Sequence, residues 1–252
     1  MMRIAKLLLS LALAAGCVAP AAAADLVSKK KAVVQKAPPV ETWNPWMIRV
    51  RAIGVLPSSA GSKVNVVGAP AISSPNAGLS IANSVVPELD VSYFFTPNIA
   101  AELVLGVTPH RITGTGSLNG LDVGHAWLLP PTLMLQYHFT NFGQFIPYVG
   151  VGANFTEYFN QHAGNTLAFI PALGTTAAIT SLHLKDTFGV AGQVGFDYMI
   201  DQHWGINMDV KKIYMEPSYS GTAFATGVGS LPVTGRAHIN PWLTGGGVTY
   251  KF

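Results

Sequence analysis

The chain ends GGGVTYKF (Gly245–Phe252), and the phase of these residues sets how the rest is read. Val248, Tyr250 and Phe252 alternate with Gly247, Thr249 and Lys251, the period-2 pattern of a strand with one apolar face. An aromatic at the carboxyl terminus of such a strand is the ending that outer-membrane β-barrels present to their assembly machinery. Val248, Tyr250 and Phe252 are therefore expected to act as an assembly signal, with the barrel assembly machinery and outer-membrane lipid as partners. A soluble edge strand can also end in Phe, so the rest of the chain must decide.

Composition narrows the choice. The 252 residues are 49% hydrophobic and only 11% charged, against roughly 25% charged in soluble domains. The one long apolar run, residues 7–24, reads as a secretory signal: Arg3 and Lys6 precede it, and Ala22-Ala23-Ala24 offers a small-residue cleavage site. Ala14-Ala15-Gly16-Cys17 also resembles a lipoprotein cleavage site, although Ala14 stands where Leu is usual. Cleavage after Ala24 removes the single Cys, leaving no thiol for a disulfide or metal. The expectation is export through the Sec route, signal peptide removed, to a bacterial outer membrane.

Charge is unevenly placed. Residues 25–42 hold Lys29, Lys30, Lys31 and Lys36 against Asp25 and Glu41, with Pro38-Pro39 among them. That composition reads as a disordered periplasmic linker. From Trp43 onward nine basic face ten acidic residues, and no folded element carries the basic face that nucleic-acid binding needs. The expected organisation is a signal peptide (1–24), a linker (25–42) and a barrel domain (43–252).

Eight segments alternate with strand period: Trp46–Val55, Val86–Phe95, Asn98–Val107, Thr132–Phe139, Pro147–Tyr158, Thr187–Ile200, Trp204–Ile213 and Trp242–Phe252. Each approximates the ~9–11 residues that a tilted strand needs to cross a bilayer. Tight turns at Thr96-Pro97, residues 140–144 and residues 201–203 separate pairs of strands. Long connections, 56–85, 108–131, 159–186 and 214–240, alternate with them. Short turns on one side and long loops on the other are normal in outer-membrane barrels and uncommon in compact soluble domains. The predicted fold is all-β: an eight-stranded antiparallel transmembrane up-and-down barrel, with short periplasmic turns and long extracellular loops.

The inward phase collects Arg49, Arg51 and Lys211 with Glu88, Asp90, Glu102, Asp197 and Asp209. Eight strands leave an interior only just wide enough for side chains, so these eight residues are expected to form a lumen charge network rather than line an aqueous pore. The loops are unusually apolar; residues 165–181 (NTLAFIPALGTTAAITS) carry no charge. Such a stretch serves equally as a packed lid or as a surface receiving a hydrophobic ligand. No catalytic residues, cofactor or metal site are expected. The seven histidines lack ligand spacing on a common strand face, no Gly-x-Ser-x-Gly elbow occurs, and Gly245-Gly246-Gly247 opens no helix.

Several strings in order, LPPTLMLQYHF (129–139), PYVGVGANFTEYF (147–159), LKDTFGVAGQVGFDYMI (184–200), INPW (239–242) and the terminal VTYKF, resemble the OmpW family of small outer-membrane barrels. The resemblance implies eight strands and a non-enzymatic hydrophobic channel or funnel for small apolar molecules. It implies as well that some members serve as surface receptors for bacteriocins. The alternative is a structural or receptor barrel with a closed lumen whose extracellular loops bind partners. By position and apolarity, Leu56, Trp127, Phe169 and Ile170 are expected at a hydrophobic mouth that admits a small hydrophobic solute.

Overall fold

The computed structural model describes residues 43–252. The signal peptide, Cys17 and the basic linker expected from sequence lie outside the described residues. Sixteen strands follow one another: β1 (Trp46–Leu56), β2 (Lys63–Val66), β3 (Ala77–Ile81), β4 (Ser84–Phe94), β5 (Ile99–Gly106), β6 (Thr108–Gly116), β7 (Asp122–Leu129), β8 (Thr132–His138), β9 (Phe145–Ala163), β10 (Ala168–Ile170), β11 (Thr175–Leu184), β12 (Thr187–Met199), β13 (Trp204–Tyr214), β14 (Ser218–Ala225), β15 (Gly229–Arg236) and β16 (Trp242–Lys251).

Eight of them, β1, β4, β5, β8, β9, β12, β13 and β16, pair in that order with antiparallel neighbours. The ring closes where β1 pairs with β16, from Met47↔Lys251 to Leu56↔Trp242. Closure leaves no unpaired edge, as backbone polar groups in hydrocarbon require. Close approach dictates some residues: a Cβ on Gly247 would lie 2.0 Å from the Val50 carbonyl oxygen.

Alternation here is inverted relative to a soluble sandwich. Arg49 is 0% exposed and Arg51 2%, while Val50 between them is 58% exposed. Leu133, Val151, Val194 and Met208 share the exposed face. A water-soluble fold buries its apolar face; this one buries its charges and offers its apolar face to a surrounding medium that must itself be apolar. Aromatic rings ring the turn end of the barrel: Trp46 packs edge-on against Tyr93 at 5.0 Å, Tyr137 on Phe139 at 5.0 Å, and Trp204 on Tyr250 at 4.8 Å. Such rings form the girdle at a membrane interface.

The turns of this end are capped locally. Thr96 Oγ1 accepts from the Ile99 amide at 3.0 Å, and Asp201 Oδ1 accepts from the His203 and Trp204 amides, each at 2.7 Å. At the opposite end the long connections are largely β-structure rather than loops. One sheet continues the barrel as β9–β7–β6–β3; a second, separately paired sheet runs β10–β11–β14–β15–β2. Strand β9 therefore runs to Ala163, five residues beyond the sequence-derived end.

Two seams divide these sheets, and side chains bridge both. Between β9 and β11, Gln161 donates to the Leu184 carbonyl at 3.2 Å and accepts from its amide at 2.6 Å. The Asp186 carboxylate accepts from the Tyr158 amide at 3.1 Å. Between β2 and the segment leading to β3, Ser74 Oγ and Ser73 Oγ accept from the Val64 and Val66 amides, each at 2.9 Å.

Candidate functional site

Every one of the eight crossing strands sends a polar side chain into one buried layer. From β1, the Arg49 guanidinium donates to both Asp197 oxygens at 3.0 and 2.6 Å and to Glu102 at 2.5 Å. Arg51 pairs with Glu88 at 2.7 Å, with Asp209 at 2.6 Å, and with Asp90. Lys211 reaches Glu88 at 2.7 Å and Asp209 at 3.1 Å. The geometry thus brings all eight of the charged residues read from the inward phase into one connected cluster.

Neutral partners complete it. Gln136 donates to Glu102 at 2.7 Å and to Gln193 at 2.9 Å, and Gln193 donates to Asp209 at 2.5 Å. Asn207 accepts from Arg51 at 2.9 Å and donates to Asp197 at 3.0 Å; the Thr249 hydroxyl donates to Asp197 at 2.6 Å. The Arg49 guanidinium lies 4.9 Å from the Tyr148 ring centre. Gly195 makes room for that ring, since a Cβ there would meet Tyr148 Cζ at 2.7 Å. Charge alone does not single out Gln193, Asn207, Thr249 and Tyr148 in the sequence; their shared phase with the charged residues is the signal that finds them.

The layer is a plug. None of its eight charged residues exceeds 4% exposure. Buried ions are tolerated only when paired and hydrogen-bonded, and here each cation meets at least two carboxylates. Directly beyond the plug, away from the turns, the interior becomes apolar: Ile53, Val55, Val86, Met134, Ala191 and Ile213 are all buried. This core continues between the two outer sheets as a chamber walled by Leu79, Val123, Ile170 and Tyr219. Two cavities of about 20 and 30 Å³ remain in it, both bordered by Leu79, Val123 and Tyr219. Each holds little more than one water-sized probe, so the chamber is closed by its own side chains.

His110 is a polar group set in this apolar wall. It is 4% exposed, and its Nδ1 lies 2.8 Å from the Ala82 carbonyl oxygen. Burial holds its pKa below the ordinary histidine value, although that hydrogen bond pulls the other way. Burial likewise raises the Tyr219 phenol. Its hydroxyl donates to the Lys63 carbonyl at 2.9 Å.

The expected mouth residues divide. Ile170 is fully buried in the chamber wall. Leu56, Trp127 and Phe169 are 41%, 39% and 61% exposed and stand on outward faces, so they do not line the chamber. The reason is phase: Leu56 follows Val50 and Ala52 on the exposed side of β1, while Ile53 and Val55 point in. At the carboxyl terminus Val248 and Phe252 are exposed on the outer face, and Tyr250 packs on Phe252 at 4.9 Å. Among the described residues, no three His, Cys, Asp or Glu side chains are grouped to hold a metal ion.

A sealed cylinder with an apolar exterior, an aromatic girdle and a charged lumen defines a transmembrane β-barrel of an outer membrane. Among solved structures it is similar to the outer-membrane protein OprG from Pseudomonas aeruginosa, at a TM-score of 0.69 and 30% identity, covering 82% of this chain and 95% of that one. The chain belongs to the OmpW family, whose model matches residues 45–252. It is also similar to AlkL as solved in lipid bilayers, at a TM-score of 0.59 and 26% identity, covering 92% and 97% of the two chains. A relative described as an uncharacterized outer-membrane protein, y4mB of Sinorhizobium fredii, is 48% identical over 209 residues, 83% of this chain and 80% of that one. The dibenzothiophene metabolism operon protein PahQ of Pseudomonas aeruginosa is 25% identical over 207 residues, covering 81% and 88%. The chain is accordingly an outer-membrane protein set in lipid.

Proposed function

We propose that this barrel is a non-enzymatic conduit that takes small apolar molecules from the external medium into the outer membrane. One observation carries the reading: an apolar chamber, closed at rest by its own side chains, lies between the outer sheets and ends on a charged plug. An apolar solute in the chamber gains by leaving water. Continuing through the plug would require parting paired buried ions, which costs several kcal/mol, so the favoured exit is sideways into the bilayer. The seam between β9 and β11, bridged by Gln161 and Asp186 side chains rather than by a main-chain ladder, is the exit assigned to that route. The operon named for a relative's dibenzothiophene metabolism supports an apolar aromatic solute class. Val248, Tyr250 and Phe252 would serve the assembly machinery that inserts the chain.

The test is uptake of a small apolar fluorescent probe by proteoliposomes. Ile170→Asp and Leu79→Asp, which charge the chamber wall, are expected to lower uptake by about tenfold, as ~1.4 kcal/mol per decade allows; equal uptake would refute the chamber route. The small size of the two cavities favours a second reading, a closed receptor barrel recognised through its outer sheets. Wild-type uptake no faster than protein-free liposomes would establish that one instead.

A further inference from the structure

On the outward face of the extracellular sheet, β7 and β9 set two histidines directly opposite each other, His125 and His162. Both are exposed, and their rings lie 5.0 Å apart, inclined by only 15°. Directly opposed residues on antiparallel strands have Cβ atoms about 4.5–5.5 Å apart. Side-chain torsions alone can therefore bring the two imidazole edges to a common point.

A second contact fixes the chemistry of one ring. His162 Nδ1 lies 3.1 Å from the Asn160 carbonyl oxygen. A carbonyl oxygen can only accept, so Nδ1 carries the hydrogen and Nε2 keeps its lone pair. A histidine held at one nitrogen by a backbone carbonyl, with the other free, is the usual posture of a metal ligand. The backbone is shaped for this: Asn160 has φ 50°, in the left-handed region, where the β7–β9 register shifts between His125 and Trp127.

We propose that His125 and His162 form a two-histidine site for a transition-metal cation of the zinc, copper or nickel class, on the outer surface above Trp127. Imidazole nitrogens suit these ions, and water would fill the remaining positions. The charged neighbours are Arg111, opposite His125 on β6, and Asp122, 3.6 Å from the Arg111 guanidinium. Arg111 repels a bound cation and Asp122 attracts it, so the arginine sets how tightly the site holds its ion. The site faces away from the chamber and does not depend on solute uptake.

The experiment uses the full barrel without an affinity tag, in detergent micelles, titrated with Cu²⁺ by calorimetry and electron paramagnetic resonance. One equivalent with two coupled imidazole nitrogens is expected. His125→Ala and His162→Ala should each weaken binding by about tenfold or more, while His183→Ala, an exposed histidine on β11, should leave it unchanged. Arg111→Gln should tighten it. Heat-modifiable gel migration shows that each variant is folded. Absence of binding to wild type, equal affinity in folded His125→Ala and His162→Ala, or a one-nitrogen spectrum would overturn the site.

Discussion

Arg51 shows how the plug is balanced at the scale of a residue. It faces Glu88, Asp90 and Asp209 while only 2% exposed. Arg51→Met keeps the apolar stem but leaves those carboxylates to Lys211. Removing one partner of a buried pair costs about 3–5 kcal/mol, and urea unfolding in lipid bilayers should show a loss of that order. Adding Asp90→Asn should recover part of it by removing a stranded charge. A single variant as stable as wild type would mean that the pairing contributes nothing. His110 makes stability depend on acid. Its pKa is lowered in the folded chamber, so an opened chamber binds the proton more readily. Stability from this group is present above the ordinary histidine value, about 6.5, and is lost as pH falls below it. Amide exchange in β3 and β6 should rise on acidification relative to a His110→Phe control; identical pH profiles would exclude His110 as the cause.

At the scale of an element, the two outer sheets meet the barrel differently from one another. Strand β9 passes without interruption from the plug to Ala163, whereas β11 is joined to it through Gln161 and Asp186 rather than through a main-chain ladder. Gln161→Ala should therefore raise hydrogen exchange at Leu184 by about an order of magnitude, as loss of one to two hydrogen bonds of ~1 kcal/mol each implies, with β12 unaffected. Equal protection at Leu184 would place the seam's strength elsewhere. The crossing strands were legible because lipid and lumen enforce strict alternation over each of them. The outer strands were not, because bulges between Ile112 and Thr113, His125 and Trp127, and Ile179 and Ser181 break that rhythm. Residues 177–179 are buried in succession, which gives an apolar run without period. Their neighbours in β14 turn small residues such as Ala223 and Ala225 inward, so composition does not mark the strand either.

At the scale of the molecule, polarity divides the lumen into two storeys. The charged storey was readable from phase, because each ionisable residue in a crossing strand that points away from lipid must find a partner. The apolar storey was only half readable. Apolarity picked out Ile170, which lines it, together with Leu56, Trp127 and Phe169, which do not. In β1 the alternation already assigned Leu56 to the lipid side, whereas the short strand β10 is too brief to show a phase for Phe169. The position of the plug directly beneath the chamber gives the proposed uptake route its direction: a solute that enters would leave sideways, and ions would find no aqueous path.

Planar-bilayer recording of the wild-type barrel tests that division most directly. An electrically silent protein is expected under an applied potential, because paired side chains from all eight crossing strands fill the lumen. Stable ohmic steps that scale with salt concentration would contradict it, since they require a continuous column of water where the structure places Arg49, Arg51 and their carboxylate partners.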